Sequence, residues 1–448
     1  MNPGNVIFKF AFVILFFIYF IQTAITQPLI WRTLPNSPVT NGYRFDDIFF
    51  VNPQVGWVCG ISGRMYKTTD GGNSWNLLIS NSSFLFRCIG FSDSLNGYAG
   101  LYTLPSGSTA PLLKTTNGGL NWFGVQNIPA PIPAGICGIS IVNNLVMYGV
   151  GKIDGPASVI KTTDGGTSWQ SFNMTGLASR LVDCYFFSKD SGFVVGGIGS
   201  INTSSDVILF TSNGGANWQP KYTSFQMPGL FESCWKINFI NRMNAVVSLN
   251  RISDSLSFLK TSNGGVTWQR NAYRISTSYF TQGIGFINET TGWLGGEDHT
   301  YETTDAGQTW NLNPFGQNVN RIRFLNDTLG YSVGVTVYKY SRDSITGIGI
   351  NSNIIPNIFL LEQNYPNPFN PFTKFKFEVP KESFVKLSVI DVLGKEINIL
   401  VNDYLSGGTY HTTWNGKDLN GNDVPSGLYF YRMETKYYSI TKKMLLVK

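Results

Sequence analysis

An eight-residue phrase recurs six times in this chain and limits its fold more than any other feature. TTDGGNSW ends at Trp75, TTNGGLNW at Trp122, TTDGGTSW at Trp169, TSNGGANW at Trp218, TSNGGVTW at Trp268 and TTDAGQTW at Trp310. Successive tryptophans are 47, 47, 49, 50 and 42 residues apart, the length of one four-stranded propeller blade. Asp70, Asp164 and Asp305 stand where the chain must reverse, and a short carboxylate can accept hydrogen bonds from backbone N–H groups two residues on. Asn117, Asn213 and Asn263 offer an equivalent oxygen. The paired glycines tolerate positive φ. The tryptophan buries a large ring against its own or the next sheet. The phrase therefore reads as a folding device. Calcium binding or catalysis is the competing reading, but asparagine at three of the six positions would cost a hard cation its charge partner.

Each repeat has a second half: an apolar strand, a polar turn and a Gly-rich strand, as in FRCIGFSDSLNGYAG and IGFINETTGWLGG. Seven such halves can be counted, against six outer strands that start at a phrase tryptophan. A seventh outer strand, WRTL at Trp31 to Leu34, stands alone, while Arg321 to Ser341 supplies three inner strands and no phrase. The two fragments complete one another, so the N-terminal strand is expected to close the last blade. The phrase resembles the Asp-box, or BNR repeat, of sialidases, sortilin-type receptors and photosystem II assembly-factor-like propellers. That resemblance implies an all-β, seven-bladed β-propeller over residues 27–341. In it Asp70, Trp75, Asn117, Trp122, Asp164, Trp169, Asn213, Trp218, Asn263, Trp268, Asp305 and Trp310 are structural.

Composition agrees: 15% aromatic, 13% charged and 48 glycines suit many short strands and tight turns. A net charge of +6 over 448 residues is mild, and without a Lys/Arg block no nucleic-acid partner is expected. At the start, Lys9 precedes twelve apolar residues, Phe10 to Ile21, too few to span a bilayer. With the small residues near Ala24 and Thr26 this reads as a signal peptide over residues 1–26, with an uncleaved anchor as the alternative. No second segment is long enough to span, so the mature chain is expected to have no transmembrane segment. Five cysteines, none in CxxC spacing, read as buried apolar residues rather than metal or redox groups, with a bridge between neighbouring blades as the alternative.

After a polar linker, residues 342–356, the character changes. QNYPNPFNP at Gln363 to Pro371 opens a run of alternating strands. Trp414, Gly416, Asp418, Gly421, Val424, Ser426, Gly427, Tyr429 and a terminal KKMLL follow. From the alternation and the NG and GK turns, residues 357–448 read as a small Ig-like β-sandwich. The segment resembles the C-terminal sorting domain of type IX secretion cargo of the Bacteroidetes and their relatives; Asn415, where aspartate is common, is its one mild departure. The resemblance implies a type IX machinery partner and a secreted or outer-surface location.

Function is expected where loops converge on a propeller's central channel, at the lead-ins to the innermost strands and between second and third strands. Arg44, Asp46, Asp47, Arg87, Arg180, Asp183, Trp235, Lys236 and Arg321 lie at those lead-ins. Cations with interspersed carboxylates and a tryptophan would suit an anionic or carbohydrate ligand; a solvated or paired rim is the plainer reading. No catalytic set is legible. There is no FRIP-type motif, no P-loop, no GxGxxG and no GxSxG, and only His299 lies in the propeller. No cofactor and no metal is expected. Two readings follow: a surface propeller that binds a protein or glycan, or a secreted glycan-active hydrolase.

Overall fold

The structure, a computed structural model, describes residues 29–448 except 35, 41–42, 201–202, 226–231, 252, 280, 298, 314, 343–348, 351–355, 357, 382, 406, 419–421 and 437. The expected signal peptide and most of the expected linker lie outside the described residues. Every regular element among them is a β-strand, and the strands form nine four-stranded antiparallel sheets.

Six sheets each use four consecutive strands, beginning at Phe45–Phe50, Phe86–Phe91, Gly138–Ile141, Arg180–Phe186, Glu232–Phe239 and Thr281–Phe286. The seventh takes Arg321–Asn326, Leu329–Val333 and Val337–Ser341, and its outer strand is Ile30–Thr33, from the far end of the chain. Trp31 faces Tyr340 in that pairing, and Arg32 Nη1 donates to the Ser341 carbonyl at 3.0 Å. The Trp31 ring stacks on Phe315 at 4.6 Å and meets Trp293 edge-on at 5.7 Å. First strands touch in chain order from sheet to sheet, and Arg321–Asn326 of the seventh sheet touches Phe45–Phe50 of the first.

A second periodicity explains how the sheets pack. Phe50, Phe91, Phe186 and Phe286 end first strands and Phe324 lies near the end of another, and a glycine of the next strand stands opposite each of them. A Cβ on Gly56, Gly97, Gly192, Gly292 or Gly330 would stand within 2.6 Å of that phenyl ring, so the ring lies flat over a bare backbone. In three of the five, the ring also stacks on an aromatic of the neighbouring sheet. Phe91 stacks on Trp57 at 3.5 Å, Phe186 on Tyr148 at 3.4 Å, and Phe50 on Tyr331 of the seventh sheet at 3.7 Å.

The recurrent phrase makes one turn six times. Asp70 Oδ1 accepts from the Ser74 N–H at 2.9 Å, and Asn117, Asp164, Asn213, Asn263 and Asp305 do the same four residues on, at 2.9–3.0 Å. The reach is thus four residues, not the two expected, because two glycine-type φ values intervene. The preceding threonine completes the turn: Thr68 Oγ1 donates to Asp70 and accepts from the Gly72 N–H at 2.9 Å. The phrase tryptophans meet aromatics of their own sheet, as Trp75 does Phe50, or of the preceding sheet, as Trp169 does Tyr98. All five cysteines are buried and free.

The last two sheets, from Gly349–Ile350 to Ser439–Leu446, enclose one core that includes Phe375, Tyr431 and the fully buried Trp414. Among the described residues no helix is long and apolar enough to cross a membrane.

Candidate functional site at the lead-ins to the first strands

Five of the seven first strands carry a register shift at one place: Phe45/Asp47, Phe86/Cys88, Leu181/Asp183, Cys234/Ile237 and Thr281/Gly283. A bulge re-aims the side chains it skips. The skipped residues include Asp46, Arg87, Trp235, Lys236 and Gln282, so the bulges set most of the site.

Two groups result. In the first, Arg87 Nη1 donates to Asp46 Oδ1 at 2.5 Å and lays its guanidinium 5.4 Å over the Trp235 ring. Trp235 Nε1 donates to Asn320 Oδ1 at 2.7 Å, and Asn320 Nδ2 to the Asp46 carbonyl at 2.7 Å. Arg44 bonds Asp46 and Gln282. In the second group, Arg321 holds Asp47 through Nε at 3.0 Å and grips Asp183 bidentately at 2.7 and 3.1 Å. Arg323 adds a bond to Asp47 at 3.1 Å. Backbone N–H groups of Ile89 and Ile237 complete the two carboxylates at 3.1 Å each.

Charge is therefore heavily matched. Burial opposes ionisation of Asp47 and Asp183, but Arg321 above all, with Arg323 and Lys236, outweighs it and holds both carboxyls below the usual range. Lys236 lacks a partner: its Nζ is buried with no hydrogen bond. Burial first, then Arg321, pulls its pKa down to about 8. Asp46 and Asp47, adjacent in sequence, serve different cation sets across a bulge.

The structure thus brings together Arg44, Asp47, Arg87, Asp183, Trp235, Lys236 and Arg321. Arg180 stands apart: it donates to the Gly199 carbonyl at 2.9 Å and feels Asp206. Sequence reasoning missed Gln282, Asn320 and Arg323. Gln282 could have been found, since TQGIGF aligns with FDDIFF and FRCIGF and puts it level with Asp46 and Arg87.

Above the first group opens a cavity of about 670 Å³, lined by residues of three sheets, among them Tyr43, Ser62, Arg64, Arg87 and Tyr102. Among the described residues that line it, two are arginines and none is a carboxylate. Elsewhere, Asp206 is buried beside Glu232; burial and that neighbour raise its carboxyl well above the usual range, while Arg270 bonds Glu232 at 2.5 Å. At the other ends of the first strands, Tyr185, Phe187 and Phe239 line a second cavity of about 410 Å³.

Sheets of this pattern joined to a compact β tail define a propeller-type protein with an appended sorting module. Residues 363–448 match the secretion system C-terminal sorting domain. The chain is similar to the photosystem II assembly lipoprotein Ycf48 of Synechococcus sp. (strain CC9902), 24% identical over 327 residues, covering 68% of this chain and 85% of that protein. YCF48 from Cyanidioschyzon merolae superposes with a TM-score of 0.52 at 18% identity, covering 69% of this chain and 98% of that one. YCF48 bound to D1 peptide gives 0.51 at 18%, covering 70% and 97%. The chain therefore has a β-propeller fold of the Ycf48 kind. Its tail marks type IX export, which makes it a secreted or cell-surface protein.

Proposed function

We propose that the seven sheets are the blades of one closed propeller, residues 27–341, with Asp-box turns, and that its channel face binds a protein or glycan outside the cell. A signal peptide over residues 1–26 starts export, and an Ig-like sandwich over residues 357–448, beyond a linker at 342–356, directs it through the type IX machinery. The contact between first and seventh sheets supports closure. The observation that carries the binding role is the cavity with Arg64 and Arg87 in its wall and no carboxylate. A convergent carboxylate pair is what glycan hydrolysis would need there. Asp46, Asp47 and Asp183 are each tied to arginine, and the lowered Asp47 and Asp183 cannot donate a proton near neutral pH. That one YCF48 structure holds a D1 peptide shows that this fold can carry a ligand. The test is capture from surface extracts by immobilised chain, wild type against Arg64→Glu, with a glycoside-hydrolase screen alongside. Capture that depends on Arg64, without turnover, is expected; capture indifferent to Arg64 sinks the reading.

The hydrolase reading draws on one observation, the raised Asp206 carboxyl beside Glu232, the environment a general acid requires. Neither residue lines the cavity, and both are buried. Turnover abolished by Asp206→Asn would favour it.

A further inference from the structure

The second cavity, of about 410 Å³, is walled by three sheets, through the ends of the strands Gly138–Ile141, Arg180–Phe186 and Glu232–Phe239. Three rings make its apolar corner. Tyr185 lies 4.8 Å from Phe239 at 32°, and Phe187 stands steeply to both, at 5.1 and 4.7 Å. Tyr185 is 36% exposed, although every other residue of its strand is buried. The repeat does not require an aromatic at Phe187. Val142 and Ile240 hold the same place in the flanking sheets, each donating its N–H to the carbonyl four residues on, as Phe187 does.

Arg242 supplies the charge. It is exposed, and its guanidinium lies 5.0 Å over the Phe187 ring. Among the described residues none pairs with or hydrogen-bonds that guanidinium, and none that lines the cavity is a carboxylate. The Tyr185 hydroxyl also has no partner among them. Burial raises its pKa, and the nearby Arg242 charge opposes that rise. Two unused donors thus line one accessible cavity. A single guanidinium and a hydroxyl suit a singly charged carboxylate, which arginine meets with two parallel N–H bonds. Sugar hydroxyls would find little here. Asn241, the lining amide, is committed: its Oδ1 accepts from Met243 and Asn244 N–H at 2.9 Å, and its Nδ2 donates to Glu289 at 2.8 Å. Ring faces and edges set at steep angles are what another aromatic ring packs against. The volume is at the small end for ligand pockets and takes one or two fused rings. We propose that this cavity binds a small aromatic carboxylic acid, its ring in the corner of Tyr185, Phe187 and Phe239 and its carboxylate on Arg242 and the Tyr185 hydroxyl. Nothing in this site depends on the Arg64 cavity, so either reading can fail alone.

The experiment is calorimetric titration of the full chain with four probes: indole-3-acetate, indole-3-acetamide, cyclohexylacetate and a tripeptide ending in tryptophan. Indole-3-acetate is expected to bind about tenfold or more tighter than its amide, and about threefold or more tighter than cyclohexylacetate. Arg242→Gln should erase the first difference and leave melting unchanged, because the side chain is exposed and has no polar partner to lose. Tyr185→Leu, which keeps an apolar side chain, should shrink the second difference and keep a preference for acid over amide. Equal binding of acid and amide, an acid preference that survives Arg242→Gln, tighter binding of the tripeptide, or no binding at all overturns the proposal.

Discussion

Lys236 is a single buried amine whose pKa, about 8 against an ordinary 10.5, links stability to pH. The folded chain holds that proton less tightly than the unfolded chain. Between about pH 8 and 10.5 the unfolded state binds more protons, so this group's contribution to stability rises with pH across that window and is lowest below it. Lys236→Met is expected to stabilise by roughly 1–3 kcal/mol at pH 7, with the gain fading by about pH 10. Urea titrations at both values check it, and a variant weaker than wild type at pH 7 refutes it. Ala306 is the second case. It occupies the first glycine position of the sixth turn at φ 66°, where the other five turns have glycine. A Cβ there is strained, and glycine offsets part of the gain through a freer unfolded chain. Ala306→Gly should therefore add up to about 1 kcal/mol, read from the denaturation midpoint; a loss would mean the strain is absent. Turn chemistry of this kind was legible, since Asp and Asn do the same job at the same place. The four-residue reach and the threonine's double role were not, because both depend on how tightly two left-handed residues fold the loop.

Strands and their order were the most legible level, because each repeat writes its own boundaries in Gly, Thr and Trp. Contacts between repeats were less so. Lys114 Nζ reaches the Gly165 carbonyl at 2.7 Å, Lys161 the Gly214 carbonyl at 3.2 Å and Lys260 the Ala306 carbonyl at 3.0 Å. Each lysine stands just before the Thr-Thr or Thr-Ser of its own phrase and clasps the turn of the next. Nothing in one repeat says that its neighbour's turn lies within reach of that lysine. The outer strand Ile30–Thr33 was found by counting, and its pairing gives the sharpest test at this scale. Trp31 is 8% exposed and touches Trp293, Phe315, Phe324 and Tyr340. Trp31→Ala should cost about 3–5 kcal/mol and lower the melting temperature. A melting curve that overlays the wild type would mean the strand does not hold the seventh sheet.

At the scale of the molecule, destination and candidate site divide between the two parts. A chain truncated at Ile355 should fold its propeller yet remain in the periplasm, as cell fractionation would show; normal appearance outside the cell rejects the tail's role. The tail was legible because QNYPNPFNP is contiguous. The candidate site was legible only as residue types. Arg321 meets Asp183 across 138 residues of sequence and Asp47 across 274, and the bulges that aim them leave no mark in composition. The pairing of Arg32 with Ser341 spans still more, 309 residues. At about 5–20 residues per second of synthesis, the first strand waits roughly 15–60 s for its partner. No early fragment of the chain can finish the seventh sheet. The order of synthesis thus orders assembly: six sheets have all their strands from consecutive chain, and the seventh is completed last.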